Sequence, residues 1–179
     1  VFEEMQTIGI LPDDITYNSL ISLCSRVMKP DVARALSTLR EMDAIGVTPT
    51  DITLAAITQV LGRANNIRLA REQVRTLMER HDIRPSTSVW RPLLHVCAVA
   101  GDVETTQALY DEMHKACGSA LFDSFKHRIS HANNYLILAN GYKSGYPAAH
   151  ALYAEARDRG QIDLLTYTFM LELAFGLNT

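Results

Sequence analysis

The sequence has little cysteine, no long apolar run and no excess of charge of one sign. Its three cysteines, Cys24, Cys97 and Cys117, are scattered and form no Cys-x-x-Cys pair, which argues against a disulfide framework or a common zinc module and favours a reducing compartment. No segment approaches the ~18 consecutive apolar residues of a membrane span. With 17 basic and 20 acidic side chains the net charge is −3, so a nucleic-acid partner would require a local basic surface.

The usual signatures of catalysis are also missing. The sequence contains no glycine-rich phosphate loop, no Gly-x-Ser-x-Gly elbow and no dense acidic cluster of the nuclease type. His127 and His131 have i, i+4 spacing and could ligate zinc with Cys117 or His114, but no Glu stands between them and no carboxylate is placed as a base. We therefore expect no enzyme, cofactor, metal, small-molecule substrate or membrane association.

A repeat is the main feature that the sequence does contain. Similar segments end in the methionines Met5, Met42, Met78 and Met113. Their successive spacings are 37, 36 and 35 residues. The composition, 47% apolar and 21% charged, is typical of a soluble globular chain. A period of about 35 residues with two helical stretches in each unit indicates a solenoid of helical hairpins.

The first complete unit shows how each hairpin is built. The apolar spacing of Tyr17, Ile21 and Cys24 predicts one helix. Asp31 supplies an N-cap for a second helix, and Gly46 provides a left-handed residue that ends it. Similar signals predict hairpins at about 14–45, 51–81 and 88–116.

These segments closely resemble the pentatricopeptide repeat family. The resemblance rests on Thr16-Tyr-Asn-Ser-Leu-Ile21, on Phe2-Glu-Glu-Met5 and on the ending Gly9-Ile-Leu-Pro-Asp13. It is specific at residues 1–50, good at 51–116 and weaker beyond. The tetratricopeptide family has a similar architecture, but its Trp-x-x-Leu-Gly-x-x-Tyr signature is missing. The resemblance implies an all-α fold, a right-handed α-solenoid of helix–turn–helix repeats of about 35 residues.

The period divides the chain into a series of segments. They are the second helix of a truncated repeat (1–13), repeat 1 (14–50), repeat 2 (51–86), repeat 3 (87–117), an insertion (118–131), a degenerate repeat 4 (132–161) and the first helix of repeat 5 (162–179). The sequence begins at Val1 inside a helical pattern with no cap before it. We therefore expect a fragment of an organellar protein whose targeting segment lies upstream.

The resemblance also implies which side chains read RNA bases, one base per repeat. In the first repeat the fifth residue, Asn18, is the reading residue and the last residue, Thr50, is its partner. The second repeat has Ala55 with Ser86, and Ala55 cannot form a side-chain hydrogen bond. The third has Arg91, which binds phosphate or stacks on a base. We expect Asn18 to face the groove while Tyr17 and the other aromatic residues before reading positions pack between helices.

A basic stripe is the remaining candidate site. Arg68, Arg71 and Arg75 share one face of a predicted helix, which could hold phosphates or could be a solvated outer face. Two interpretations follow. The first is a non-catalytic factor that binds single-stranded or ribosomal RNA in the mitochondrial matrix, with the chloroplast as the alternative. The second is an architectural subunit, of the mitochondrial ribosome for instance, or a protein–protein scaffold with no RNA contact.

Overall fold

The structure is a computed structural model that describes residues 2–117 and 130–176, and every regular element in these ranges is an α-helix. The helices are α1 (Phe2–Thr7), α2 (Asp14–Arg26), α3 (Val32–Ala44), α4 (Asp51–Arg63), α5 (Ile67–His81), α6 (Thr87–Val99), α7 (Val103–Cys117), α8 (Ser130–Ser144), α9 (Tyr146–Asp158) and α10 (Leu164–Phe175). They belong to two compact units, Val1–Leu93 and Leu94–Thr179. The all-α expectation is confirmed.

Local capping decides where the helices of the first unit begin. The carboxylate of Asp31 accepts the N–H of Arg34 at 3.0 Å, which caps α3. The side chain of Asn66 accepts the N–H of Leu69 at 3.3 Å and caps α5 in the same way. Gly46, with φ +81°, adopts the left-handed conformation just after α3. Short polar residues and glycine therefore produce the hairpin pattern that the sequence predicts.

The core of the first unit lies between the paired helices. The helix α2 packs against α3 and α4, and α4 also packs against α5. Fully buried side chains from three of these helices fill the space between them, including Ile21, Met42, Leu54 and Ile57. At roughly 25 cal/mol per Å² of apolar surface, such burial is the main stabilising contribution to the hairpins.

The second unit is organised around α8. This helix contacts α7, α9 and α10, and an apolar cluster of Ile137, Ala149, Ala156 and Met170 lies among α8, α9 and α10. A buried polar contact joins α8 to α10. The Asn134 amino group donates to Asp163 Oδ1 at 2.9 Å, and the Thr166 hydroxyl donates to Asn134 Oδ1 at 2.6 Å.

The observed helix bounds agree closely with the three predicted hairpins. Further along the chain they differ from the predicted segment bounds. The predicted insertion at 118–131 overlaps α8, which begins at Ser130, and residues 118–129 lie outside the described residues. The helix α8 continues to Ser144, and Gly145 alone separates it from α9. In the described ranges no helix is long and apolar enough to cross a lipid bilayer.

Candidate nucleic-acid interface

The first helices of the predicted repeats present equivalent residues at a regular interval within the first unit. The second positions of α2 and α4 carry Ile15 and Ile52, which are 69% and 62% exposed. The corresponding residue of α6, Ser88, is also exposed. We call these residues, with the fifth-position residues Asn18, Ala55 and Arg91, the first-helix row. The helix α2 packs directly against α4, so the row residues of these two helices lie on neighbouring helices.

Asn18 does not lie where the sequence predicts. Its side chain is only 6% exposed, so the expectation that it faces an open groove is wrong, whereas the expected burial of Tyr17 is confirmed at 0% exposure. Asn18, Ile21 and Ser25 have i, i+3 and i+7 spacing, and all three are buried on a shared face of α2. Arg63 of α4 donates to the Ser25 carbonyl, which places α4 against this part of α2.

The Asn18 side chain is also incompletely hydrogen-bonded. Its Oδ1 atom is buried and has no hydrogen-bond partner. An unpaired buried acceptor costs about 1–3 kcal/mol, so most buried amides in proteins avoid this state.

The other two reading positions are more open. Ala55 is half-buried and Arg91 is exposed. Ala55 can offer only apolar contact, whereas the Arg91 guanidinium carries a permanent charge and a planar surface. The predicted reading positions of the first unit therefore present three different chemistries.

The expected partners Thr50 and Ser86 lie just before the first helices, and Asp13 holds the same place before α2. Asp13 accepts the N–H and the hydroxyl of Thr16 at 2.8 and 2.6 Å, and these bonds lower the pKa of its carboxyl below the ordinary value. The Thr50 N–H donates to Thr53 Oγ1 at 2.9 Å, and the two threonine hydroxyls are 3.5 Å apart. Ser86, half-buried, directly precedes α6. Asp13 and Thr50 are thus the N-caps of α2 and α4 and fix where those helices begin.

The aromatic residues before the reading positions behave in two ways. Tyr17, Trp90 and Tyr135 are 0%, 4% and 4% exposed, which confirms that they are packing residues rather than open stacking surfaces. Tyr167 is 48% exposed and departs from this pattern. Cys24 and Cys97, which stand at equivalent positions of their repeats, are also buried.

The arginine stripe lies on a second helix, apart from the first-helix row. Ala70, Val74 and Leu77 form the buried face of α5, and this helix packs on α4. The stripe residues Arg68, Arg71 and Arg75 are exposed on other faces of α5. The Arg75 guanidinium is 3.9 Å from the carboxylate of Glu79, and both side chains are largely exposed. An exposed pair of this kind contributes little to stability.

Two further arginines lie outside the stripe. Arg26 and Arg63 are the last residues of α2 and α4, and both are exposed. Arg63 belongs to the dense basic group of the second repeat, and Arg26 stands at the same position of the first repeat. Their charges lie on the first helices themselves.

The zinc hypothesis has no support within residues 2–117 and 130–176, where no group of three or more potential ligands is assembled. His127 lies outside the described residues, and the side chains of His131 and Cys117 do so as well.

Comparison with known proteins gives a family match over most of the chain. The model of the pentacotripeptide-repeat region of PRORP matches residues 1–123. Two pentatricopeptide repeat-containing proteins of Arabidopsis thaliana are similar to the chain, one 26% identical over 144 residues and one 30% identical over 150 residues. The chain is covered to 80% and 82%, but it spans only 23% and 19% of those relatives. Other Arabidopsis relatives are named as mitochondrial or chloroplastic.

Solved structures show the same fold. The pentatricopeptide repeat domain of Arabidopsis thaliana protein-only RNase P 1, solved with tRNA, matches 97% of this chain and 86% of that one, with a TM-score of 0.67 and 16% identity. The maize pentatricopeptide repeat protein PPR10 matches 99% of this chain and 29% of that one, with a TM-score of 0.61 and 21% identity. PPR10 was also solved with an 18-nucleotide psaJ RNA element. The fold is therefore an all-α helical-repeat solenoid.

Proposed function

The chain belongs to the pentatricopeptide repeat family, and we propose that it binds single-stranded RNA through the first-helix row as a non-catalytic component of an organellar ribonucleoprotein. The compartment we propose is the mitochondrial matrix, with the chloroplast as the alternative. The RNA is a transcript or ribosomal RNA, and the role is in RNA metabolism or translation, including service as a subunit of the mitochondrial ribosome.

The observation that carries this proposal is the recurrence of exposed, ligand-competent side chains at equivalent positions of the first helices. Ile15 and Ile52 expose apolar side chains that can contact the faces of unpaired bases. The exposed guanidinium of Arg91 adds a permanent charge and a planar surface. Single-stranded RNA is the nucleic acid whose bases are free to meet such a surface.

The same residues limit how much sequence the row can distinguish. None of the three reading positions presents an exposed hydrogen-bonding edge that could specify a base, because Asn18 is buried, Ala55 has no polar side-chain atom and Arg91 favours phosphate or stacking. Most of the binding free energy should therefore come from phosphate contacts and change little between sequences.

Two sets of arginines could supply these phosphate contacts. Arg91 belongs to the row, and Arg26 and Arg63 end the first helices that carry it, whereas the arginine stripe lies on α5. We include the stripe in the proposed site because arginines at this spacing can follow a phosphate backbone.

A matched pair of double variants tests this assignment. We expect Arg26→Ala with Arg91→Ala to weaken binding of a labelled single-stranded RNA, measured by fluorescence anisotropy. We expect Arg71→Ala with Arg75→Ala to weaken binding to all RNAs alike and to flatten the salt dependence by roughly one unit per lost contact. An unchanged affinity for the second double variant would mean that the stripe is a solvated outer face. Unchanged affinity for both would contradict RNA binding through either surface.

A protein–protein scaffold is the second candidate function, and it is favoured by the mixed chemistry of the reading positions together with the net charge of −3. Purification of the intact protein from its organelle separates the two functions, because a scaffold would retain its protein partners after ribonuclease treatment.

A further inference from the structure

Three rings from successive first helices meet in the second unit. The imidazole centroid of His95 on α6 lies 6.4 Å from the ring centroid of Tyr135 on α8 and 6.3 Å from that of Phe169 on α10. The Tyr135 and Phe169 centroids are 5.5 Å apart. Tyr135 and Phe169 are each 4% exposed, whereas His95 is exposed. Two buried rings therefore support an imidazole that faces solvent.

The register of His95 places it one turn beyond a predicted reading position. It follows Arg91, a permanent cation, by four residues, so the two side chains share one face of α6. The equivalent residues of α8 and α10 are Asn140 and Glu172, which are also polar. At this register α6, α8 and α10 thus all carry side chains that can form hydrogen bonds.

The imidazole nitrogens of His95 are available to a ligand. In the part of the chain that the structure describes, no hydrogen bond or ion pair engages them. His81, by contrast, has its Nε2 atom 3.2 Å from the carboxylate of Asp43. His81, His114 and His150 all lie on second helices. Among the histidines whose side chains are described, His95 is therefore the one on a first helix.

The side chains around the imidazole do not oppose a positive charge. On α8 the facing titratable group is Tyr135, and a tyrosine phenol is uncharged near neutral pH. On α10 the ring of Phe169 carries no charge, and Glu172, one turn later, accepts the Tyr142 hydroxyl at 2.6 Å. Within the described ranges the ring contacts of the imidazole therefore include no anion, and a proton on it can attract a phosphate.

We propose that protonated His95 binds a phosphate of single-stranded RNA, so that the chain binds RNA more tightly at about pH 6 than at about pH 8. A histidine gains a positive charge and a second N–H donor across this range. Such a donor forms charge-assisted hydrogen bonds with phosphate oxygens. This inference rests on the proposed RNA-binding function and adds a contact in the second unit that lies outside the reading positions.

The test is a fluorescence anisotropy titration of a labelled oligouridylate with the 179-residue chain, at about pH 6 and about pH 8 and over a range of salt concentrations. At low salt we expect the affinity to be about fivefold higher at the lower pH, the value of one charge-assisted contact at an exposed site. His95→Gln should remove most of that difference. It should also flatten the salt dependence by about 0.7 units at about pH 6 and leave it unchanged at about pH 8.

Two further variants sharpen this test. His95→Lys should bind the oligouridylate equally well at both pH values, because a lysine stays charged across this range. His150→Gln is the matched control, because His150 is also exposed but lies on α9, a second helix. This control should keep the full pH dependence of the unmodified chain.

An NMR measurement needs no substitution and serves if the His95 variants fail to fold. The imidazole proton resonances of His95 should shift when the oligouridylate is added at about pH 6, and those of His150 should not.

The outcomes separate this inference from the proposed function. An equal pH dependence in the unmodified chain and in His95→Gln would overturn the His95 contact and leave RNA binding through the row intact. RNA binding without any shift of the His95 resonances would do the same. Failure to bind the oligouridylate at either pH would contradict the proposed function and the His95 contact together.

Discussion

The helices α2 and α10 begin with the same local structure and end in different surroundings. Each follows an aspartate whose carboxylate accepts the N–H of the threonine three residues later, at 2.8 Å for Asp13 and Thr16 and 3.0 Å for Asp163 and Thr166. The start of each helix is therefore fixed by residues next to it in the sequence.

Burial, by contrast, differs between the two helices. Tyr17 and Ile21 of α2 are both 0% exposed, whereas Tyr167 and Leu171 at the equivalent positions of α10 are 48% and 55% exposed. The helix α2 is covered by α3 and α4, and α10 contacts α8 and α9. Within the described residues no helix follows α10 to take the place that α3 has on α2. The repeat sequence thus determines where each helix begins, and the neighbouring helices determine how deeply its side chains are buried.

The largest expected effect comes from shortening the equivalent apolar residue in each helix. Ile21→Ala should destabilise the first unit by about 3 kcal/mol, because it leaves a cavity in a packed core. Leu171→Ala should change stability by less than about 0.5 kcal/mol, because its side chain is already exposed. Chemical denaturation followed by circular dichroism measures both. Similar losses for the two variants would contradict the contrast in burial.

A second pair compares two buried asparagines. Asn134→Ala should cost about 2 kcal/mol, since it removes both bonds that join α8 to Asp163 and Thr166. Asn18→Ala should cost less than about 0.5 kcal/mol, because its Oδ1 atom has no partner to lose. The same denaturation experiment measures this pair, and a larger loss for Asn18→Ala would show that its amide is bonded in the folded protein.

A third pair compares two left-handed glycines in turns. Gly46→Ala, at φ +81° with no atom within 4 Å of the added Cβ, should cost about 1 kcal/mol for the backbone conformation alone. Gly101→Ala should cost more, because φ is +69° and the Cβ would lie 3.2 Å from the backbone nitrogen of Lys143. Thermal unfolding of the two variants gives the difference. Equal costs would mean that the turn at Gly101 does not pack on α8.

The smallest effect concerns the cap of α2. Bonds from Thr16 lower the pKa of Asp13 in the folded protein. The stabilisation from this ionised carboxyl is present above its unfolded pKa and is lost as the pH falls through the lowered folded value. An NMR titration of the carboxyl resonance should therefore show a midpoint below the ordinary value of 3.8. Thr16→Val should raise that midpoint, and an unchanged midpoint would contradict the capping bond.

The parts of the fold that the sequence could predict are those that depend on nearby residues. The caps at Asp13 and Asp31 and the turn at Gly46 act within a few residues, so the hairpin helices follow from them. The contact of Asn134 with Asp163 and Thr166 joins residues far apart in the sequence. No local pattern indicates it, because it depends on how α8 and α10 pack.

The candidate site shows the same division. The register of the row was predictable, because the repeat period places Asn18, Ala55 and Arg91 at equivalent positions. The burial of Asn18 was not, because it depends on the packing of α4 against that side of α2. The spacing of the arginines alone predicts the stripe on α5. That the stripe lies apart from the row follows only from the structure, which shows which face of α5 packs on α4.

The central claim is that the first-helix row binds single-stranded RNA mainly through contacts with the RNA phosphates. A salt titration tests this claim most directly. The affinities of the chain for several unrelated single-stranded RNAs are measured across a range of salt concentrations. We predict similar affinities at every salt concentration and a common linear decrease of log affinity with log salt. A strong preference for one sequence that survives high salt, or no binding to any RNA at low salt, would contradict the claim.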